Sequence, residues 1–372
     1  MDPVRFAIVG CGRIFKKHAE SISDHLADAV LVGVCDLVPE RARLCGEKYN
    51  VPYFSDADSM FKTIGDKIDV VCILTPSGDH AERTIQLAKY KKHIVVEKPM
   101  ALTLDDADRM IHSCRKAGVK LFVVKQNRYN LPVKKLREAI DQRRFGKLVM
   151  GTVRVRWCRD QSYYDQDEWR GTWKSDGGVF TNQASHHIDL LEWMMGDVES
   201  VYAKSATRLV DIEVEDTGAA IIKFKNGSMG IVEATTATRP KDLEGSISVM
   251  GEFGTVEVGG FAVNEMKIWN FSKPDPKDSD VIESYKNNPP DVYGFGHVEY
   301  LKDVISSVQN NTKPIVGGEE GRKSLELISA IYESIETGRE VALRYQPANY
   351  VSAETGEEVL LRLQPQNCRL GL

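Results

Sequence analysis

Phe6-Ala7-Ile8-Val9-Gly10-Cys11-Gly12-Arg13-Ile14-Phe15 decides the fold of this chain: an apolar run enters a glycine turn and leaves it as a helical stretch. The first two glycines of such a turn permit a tight reversal and a close backbone approach to a pyrophosphate. The helix that follows offers unpaired amides and the positive end of its dipole. Gly10, Gly12, Arg13 and Ile14 are therefore expected to cradle a dinucleotide. Only part of the GxGxxG pattern is met, because Phe15 stands in the third glycine position. Looser or rearranged packing between helix and strand is expected there, and a plain tight turn is the alternative.

The surroundings of this turn favour the nucleotide reading. Val/Ile-rich runs at 5–9, 31–36, 69–74, 93–96 and 120–124 alternate with amphipathic stretches near 13–27, 39–49, 79–90 and 103–118. That alternation predicts a parallel sheet covered by helices on both faces, since each parallel crossover needs a helix. From about residue 147 the rhythm changes to extended runs at 147–158, 199–206, 217–224, 229–236, 245–250, 253–258 and 263–269. Lys225-Asn226-Gly227 between two of them is a hairpin signal. The expected architecture is α/β: a Rossmann-type doubly wound domain over 1–124, then an α+β domain over 125–345 with a large, mainly antiparallel sheet. Helices at 182–195, 294–309 and 317–338 are assigned to this second domain, which would bind substrate and oligomerise. A polar tail over 346–372 carries a strand-like run at 358–363.

Composition bounds the partners. The 372 residues exceed the usual size of a single core, and a formal charge of −5 gives no general attraction to nucleic acid or anionic membrane. No apolar stretch approaches a membrane span, and a strand at the very N-terminus leaves no room for a signal peptide. The seven cysteines are scattered without a CxxC pair and read as reduced thiols of a cytoplasmic protein.

Asp36 closes the second predicted strand, where a carboxylate accepts from both adenosine ribose hydroxyls and repels a 2′-phosphate; NAD is favoured over NADP. An N-cap for the next helix is the competing role. Thr75, Pro76 and His80 lie in a loop that borders a cofactor at the sheet's carboxyl edge, although His80 equally suits a helix start satisfied by its neighbours. Gln126 falls near the same edge.

Glu97-Lys98-Pro99 closes the run Ile94-Val95-Val96. A lysine at the mouth of a buried strand is costly to desolvate unless its charge is used or paired. Oxidation of a secondary alcohol needs a hydride acceptor and a group that takes the hydroxyl proton. Lys98 suits this work or donation to the developing alkoxide, with an ion pair to Glu97 as the structural alternative. Its natural partner is His186, in Asn182-Gln183-Ala184-Ser185-His186-His187-Ile188-Asp189. The adjacent His186 and His187 cannot share a helix face, so metal ligation by this stretch is disfavoured and no metal is expected. The Lys98–Pro99 bond is expected to be cis, turning the lysine toward the sheet's edge.

Arg154, Arg156, Arg159, Arg170 and Lys174 are interleaved with Trp157, Tyr163, Tyr164, Trp169 and Trp173. An anionic small ligand with an aromatic base, such as a nucleotide sugar, matches this mixture better than nucleic acid does. A packed interface between domains is the alternative. Arg128, Arg170, Lys174, Asn182 and Arg239, with Lys98 and His186, are the candidate substrate contacts.

These motifs, from AIVGCGRI through EKP to GGVFTNQASHHIDLL and EEGRKSLELISAIYES, resemble the Gfo/Idh/MocA oxidoreductase family over residues 4 to about 343. The segments KQNRYNLPV, RVRWCRDQSYYDQDEWRGTW and EATTATRPKDLEGS are most similar to family members that act on a UDP-linked N-acetylated aminoglucuronic acid. The resemblance implies NAD-dependent oxidation of the sugar C3 hydroxyl, in a route to diaminouronic acid sugars for surface polysaccharide such as lipopolysaccharide O-antigen. It places the family lysine on Lys98 and the family histidine on His186. It also implies a homodimer or homotetramer, and leaves open whether NADH is released or reoxidised in place by a 2-oxoacid such as 2-oxoglutarate. The family often has an aspartate four residues before the histidine; Asn182 stands there, and an asparagine orients rather than relays a proton. Another sugar or cyclitol dehydrogenase of the family, or a catalytically silent nucleotide sensor, are the competing functions.

Overall fold

Val70-Val71-Cys72-Ile73 is buried at every position, as a central parallel strand covered on both faces must be. In the computed structural model, which describes residues 2–286 and 296–343, this strand is β4 of a six-stranded parallel sheet. Its companions are β1 (Val4–Val9), β2 (Ala29–Cys35), β3 (Tyr53–Phe54), β5 (His93–Val96) and β6 (Leu121–Val123), in the order β3-β2-β1-β4-β5-β6. The intervening helices are α1 (Phe15–Asp24), α2 (Pro39–Tyr49), α3 (Ala57–Ile64), α4 (His80–Ala88) and α5 (Leu104–Ala117). Local chemistry sets their ends. Thr103 accepts the Asp106 amide to start α5, and Gly118 closes it at φ 70°. The sheet order reverses between β1 and β4, so their carboxyl ends form the crevice where such folds bind ligands.

The second sheet is built from β7 (Leu148–Arg156), β8 (Val198–Ala206), β9 (Thr217–Phe224), β10 (Met229–Thr235), β11 (Glu244–Gly251), β12 (Gly254–Gly259) and β13 (Glu265–Phe271), with β14 (Val341–Ala342) at one edge. Its order is β13-β12-β11-β7-β10-β9-β8-β14, antiparallel throughout except for the parallel β7–β10 pair. The helices beyond β6 in sequence are α6 (Leu131–Asp141), α7 (Gln161–Tyr164), α8 (Ser185–Met195), α9 (Val281–Ser284), α10 (Gly296–Gln309) and α11 (Gly318–Thr337).

Several expectations need correction. α10 does not belong to the second core: Tyr300, Leu301, Val304 and Ile305 are buried with the first sheet. A 3.1 Å bond from the Val123 amide to the Val316 carbonyl then ties the returning chain to β6. An apolar helix joins whichever sheet face remains uncovered, and sequence order does not reveal that face. α11 spans both cores, with Leu325 in the first and Leu327, Ile328 and Ile331 in the second. β3, β14, α3, α6, α7 and α9 lie outside the expected elements. β3 is two residues long, but α6 carries a legible start in Pro132 and apolar Val133, Leu136 and Ala139 on one face. The 182–195 helix begins as a π-helical turn over 179–183 and becomes regular only at Ser185. The tail beyond 343, with its run at 358–363, lies outside the described residues.

Candidate active site

The glycine turn fits a dinucleotide. Gly10 lies at φ 106°, and a Cβ there would stand 2.6 Å from the backbone of Leu74, so packing alone demands glycine. Gly12 has no such reason, since a Cβ on it meets no protein atom within 4 Å; close approach of a pyrophosphate supplies one. Arg13 is exposed and Ile14 packs on the first core. Phe15, in the third glycine position, is buried at the start of α1, and its ring meets Tyr49 of α2 edge-on at 5.8 Å. The Asp36 carboxylate accepts the Cys11 amide at 2.7 Å and the Val38 amide at 2.8 Å. Each of its oxygens keeps a second lone pair able to accept a further hydrogen bond.

His80 lies buried between the loop at Thr75 and the one at Pro99. One backbone carbonyl faces each ring nitrogen, Pro99 at 2.7 Å and Thr75 at 2.9 Å, and because burial lowers the ring's pKa its single N–H donates to one of them. Thr75 is half-buried and Pro76 exposed beside it. The Lys98–Pro99 peptide is cis.

Glu97 is not the ion partner of the Lys98 amine. One oxygen accepts the Lys98 amide at 3.0 Å, and the other meets His18 Nε2 at 2.9 Å, with His297 Nε2 at 3.9 Å. These imidazoles hold the buried carboxyl well below the usual carboxylate range despite the desolvation that opposes it. The amine instead crosses to the second domain: Lys98 Nζ donates to the Asn182 carbonyl at 2.9 Å. Burial lowers its pKa first of all, with Lys125 and Arg159 adding to this and Glu97 and Asp176 resisting it.

The chain around Asn182 is shaped for this contact. Gly171 and Gly177 adopt φ 68° and 78°, and a Cβ on Gly178 would run into the Glu215 carboxylate. The π turn that follows, a form frequent at functional sites, sets the Asn182 carbonyl against Lys98. His186 opens α8 four residues on. It is 8% exposed, with both ring nitrogens lacking a protein partner. Burial, followed by the charges of Lys98 and Lys125, holds it well below its usual pKa and hence neutral. His187 points elsewhere, its ring edge-on to Trp157 at 5.7 Å, and burial alone lowers it to about 4. Sequence reasoning missed Asp176. This buried carboxylate accepts the side-chain amide of Asn182 and, at 2.7 Å, the Gly171 amide. Its position just before Gly177-Gly178 in the segment leading to His186 was the available signal.

The cationic candidates separate. Arg128 is buried in an ion-pair cluster: its guanidinium donates to Asp189 through two bonds of 2.7 and 2.8 Å and to Glu320 at 3.0 Å. Asp189 is thereby lowered to about 2, against burial that would raise it. With Asp189 so engaged and His187 turned away, the sequence His186–Asp189 offers no common ligand point. Gln126 is buried beside Arg128, its Oε1 without a protein partner. Arg170 bonds Asp167 at 2.9 Å and lies over Tyr163, with Arg159 near the same ring. Lys174 is exposed, and its carbonyl oxygen lies 2.7 Å from where a Gly78 Cβ would be, so its loop closes onto the first domain. Arg239, also exposed, donates to the carbonyls of Thr236 and Thr238. A strand-end lysine, a neutral histidine and a local group of cations thus gather at the domain junction, beside the carboxyl end of the first sheet.

Comparison with known proteins agrees with this arrangement. The model of the Gfo/Idh/MocA oxidoreductase family's NAD-binding Rossmann fold matches residues 4–125, and that of its C-terminal alpha/beta domain matches 137–343. Myo-inositol 2-dehydrogenase of Thermotoga maritima is 30% identical over 347 residues, covering 91% of this chain and 98% of that protein. The WlbA dehydrogenase of Bordetella pertussis, solved with NADH and UDP-GlcNAcA, superposes with a TM-score of 0.88 at 44% identity, covering 93% of this chain and 99% of that one. Its counterpart from Chromobacterium violaceum, solved with the same two ligands, gives 0.86 at 42% identity, covering 93% and 97%. With both halves matched in order and the paired lysine and histidine brought to one junction, the chain belongs to the Gfo/Idh/MocA family of oxidoreductases.

Proposed function

We propose that this protein is an NAD-dependent dehydrogenase that oxidises the C3 hydroxyl of UDP-N-acetyl-2-amino-2-deoxyglucuronate to the 3-keto sugar. The observation that carries this reading is the meeting of Lys98 with the segment leading to His186, on a scaffold 42–44% identical to dehydrogenases solved with NADH and UDP-GlcNAcA. NAD, held by the glycine turn and Asp36, supplies the hydride acceptor. Lys98, whose pKa burial lowers against the opposing charges of Glu97 and Asp176, donates to the C3 oxygen and stabilises the alkoxide character that develops there. His186, neutral from burial and neighbouring cations, accepts the hydroxyl proton. Asn182 holds Lys98 in place, while Arg170, Lys174 and Arg239 supply positive charge for the diphosphate and carboxylate. Product would feed diaminouronic acid synthesis for surface polysaccharide such as O-antigen.

The test is NADH formation against a panel of UDP-sugars, free sugars and inositols, with and without 2-oxoglutarate. The UDP-linked uronic acid should be oxidised far better than UDP-N-acetylglucosamine; equal activity on myo-inositol or glucose would favour the cyclitol or simple-sugar alternative. Conversion of the sugar with 2-oxoglutarate and no added NAD, giving 2-hydroxyglutarate without accumulation of NADH, would indicate reoxidation in place. A cytoplasmic homodimer or homotetramer completes the proposal. It is supported by free thiols at all six cysteines among the described residues and by apolar Tyr202, Ile221 and Met229 on the open face of the second sheet. Light scattering of the purified protein tests the oligomer. Among the described residues no helix is long and apolar enough to cross a membrane.

A further inference from the structure

We propose that Asp176 is a positioning residue for the reaction, a carboxylate that acts on Lys98 through Asn182 and by its charge. The inference rests on the reading of Lys98 as the group that holds the substrate oxygen. The path is continuous. Lys98 Nζ donates to the Asn182 carbonyl at 2.9 Å, the Asn182 side-chain amide donates to one Asp176 oxygen, and the Gly171 amide donates to the other at 2.7 Å. Both oxygens therefore receive N–H donors, the arrangement that suits an ionised, acceptor-only carboxylate. Asp176 is 3% exposed, and a carboxylate taken that far from water is costly unless something uses its charge. Among its neighbours Lys98 and Arg170 oppose the upward push of burial. The Arg170 guanidinium also bonds Asp167, whereas the Lys98 amine has the single acceptor Asn182 among the described residues.

The groups that face the Lys98 amine electrostatically are Glu97 beside it after β5, Lys125 beyond β6, Arg159 after β7, Asp176 in the loop before the π turn, and His186 on α8. Burial and the cations among these groups lower the amine's pKa, and the two carboxylates resist that lowering. Glu97 is engaged with His18 and the Lys98 amide. Asp176 is the carboxylate on the substrate-domain side, and the pair it forms with Asn182 is one acid and one amide in mutual hydrogen bond. Exchanging the two residues keeps that bond and moves the charge within the pair.

The experiment measures the protonation of Lys98 without substrate, by pH-dependent acylation of the cofactor-loaded protein with acetic anhydride and mass spectrometry of the Lys98 peptide. Asp176→Asn should move the labelling midpoint down by about one pH unit, the effect of removing one nearby charge from a partly buried site. It should also lower kcat while leaving KM nearly unchanged. The exchange variant Asp176→Asn/Asn182→Asp should return both midpoint and kcat toward wild type. It also relieves the facing of two amides in the single variant, so it remains readable if that variant folds poorly. A midpoint unmoved by Asp176→Asn, or one lowered and not restored by the exchange, overturns the proposal. Because the labelling needs no sugar, a wrong substrate assignment leaves this result intact and is exposed separately by the sugar panel.

Discussion

The Lys98 amine, at the end of a strand in the cofactor domain, donates a 2.9 Å hydrogen bond to the backbone carbonyl of Asn182, 84 residues later in the substrate domain. One bond therefore joins the two halves at the point where reaction is proposed. Lys98→Met removes this donor and its charge with little change in side-chain length. Turnover should fall about 10²–10⁴-fold, the range for a group acting on a proton in the transition state, with NAD binding nearly intact. Steady-state rates beside a nicotinamide binding titration check this; near-normal kcat would remove Lys98 from the mechanism.

Asp36 should govern cofactor choice. Its oxygens are oriented by the Cys11 and Val38 amides, and a 2′-phosphate placed beside them meets a negative charge. The wild-type protein should use NAD far more efficiently than NADP, and Asp36→Ser should narrow the gap. Comparable kcat/KM for the two cofactors in the wild type would show that the carboxylate does not face the ribose.

Arg128 should matter to stability rather than to substrate. Arg128→Met leaves buried Asp189 without its two strongest bonds, and breaking such a pair costs about 3–5 kcal/mol. Urea denaturation measures the loss. A variant as stable as the wild type but with a raised KM would return Arg128 to the substrate site.

His187 should make the protein sensitive to mild acid. Its folded pKa, pushed down to about 4 by burial, lies below the ordinary 6.5. Between these values the unfolded chain binds the proton and the folded one does not. The stability it permits is therefore complete above pH 6.5 and is lost as pH falls toward 4, by roughly 3 kcal/mol. His187→Leu should flatten that part of the stability–pH curve. An unchanged slope between those pH values would mean that the buried ring does not titrate there.

Much of this molecule is written in short stretches of the chain. Gly10 and Gly12, the Ile94–Val96 run and the alternation of apolar runs with amphipathic helices are local features, and local conformational preference with hydrophobic periodicity is enough to read a doubly wound domain from them. Lys98 and His186 are marked by position in the same way. What the sequence could not determine is how long-range packing distributes charge. Arg128 and Arg170 look alike in a list of cations, yet Arg128 is enclosed by Asp189 and Glu320 while Arg170 lies against Tyr163. Asp176 appeared as an ordinary loop acid until the π turn set Asn182 between it and Lys98. α10 follows the second sheet in sequence but covers the first. Burial, hydrogen bonding and the field of neighbouring charges are properties of distance in space, and only the folded chain sets those distances.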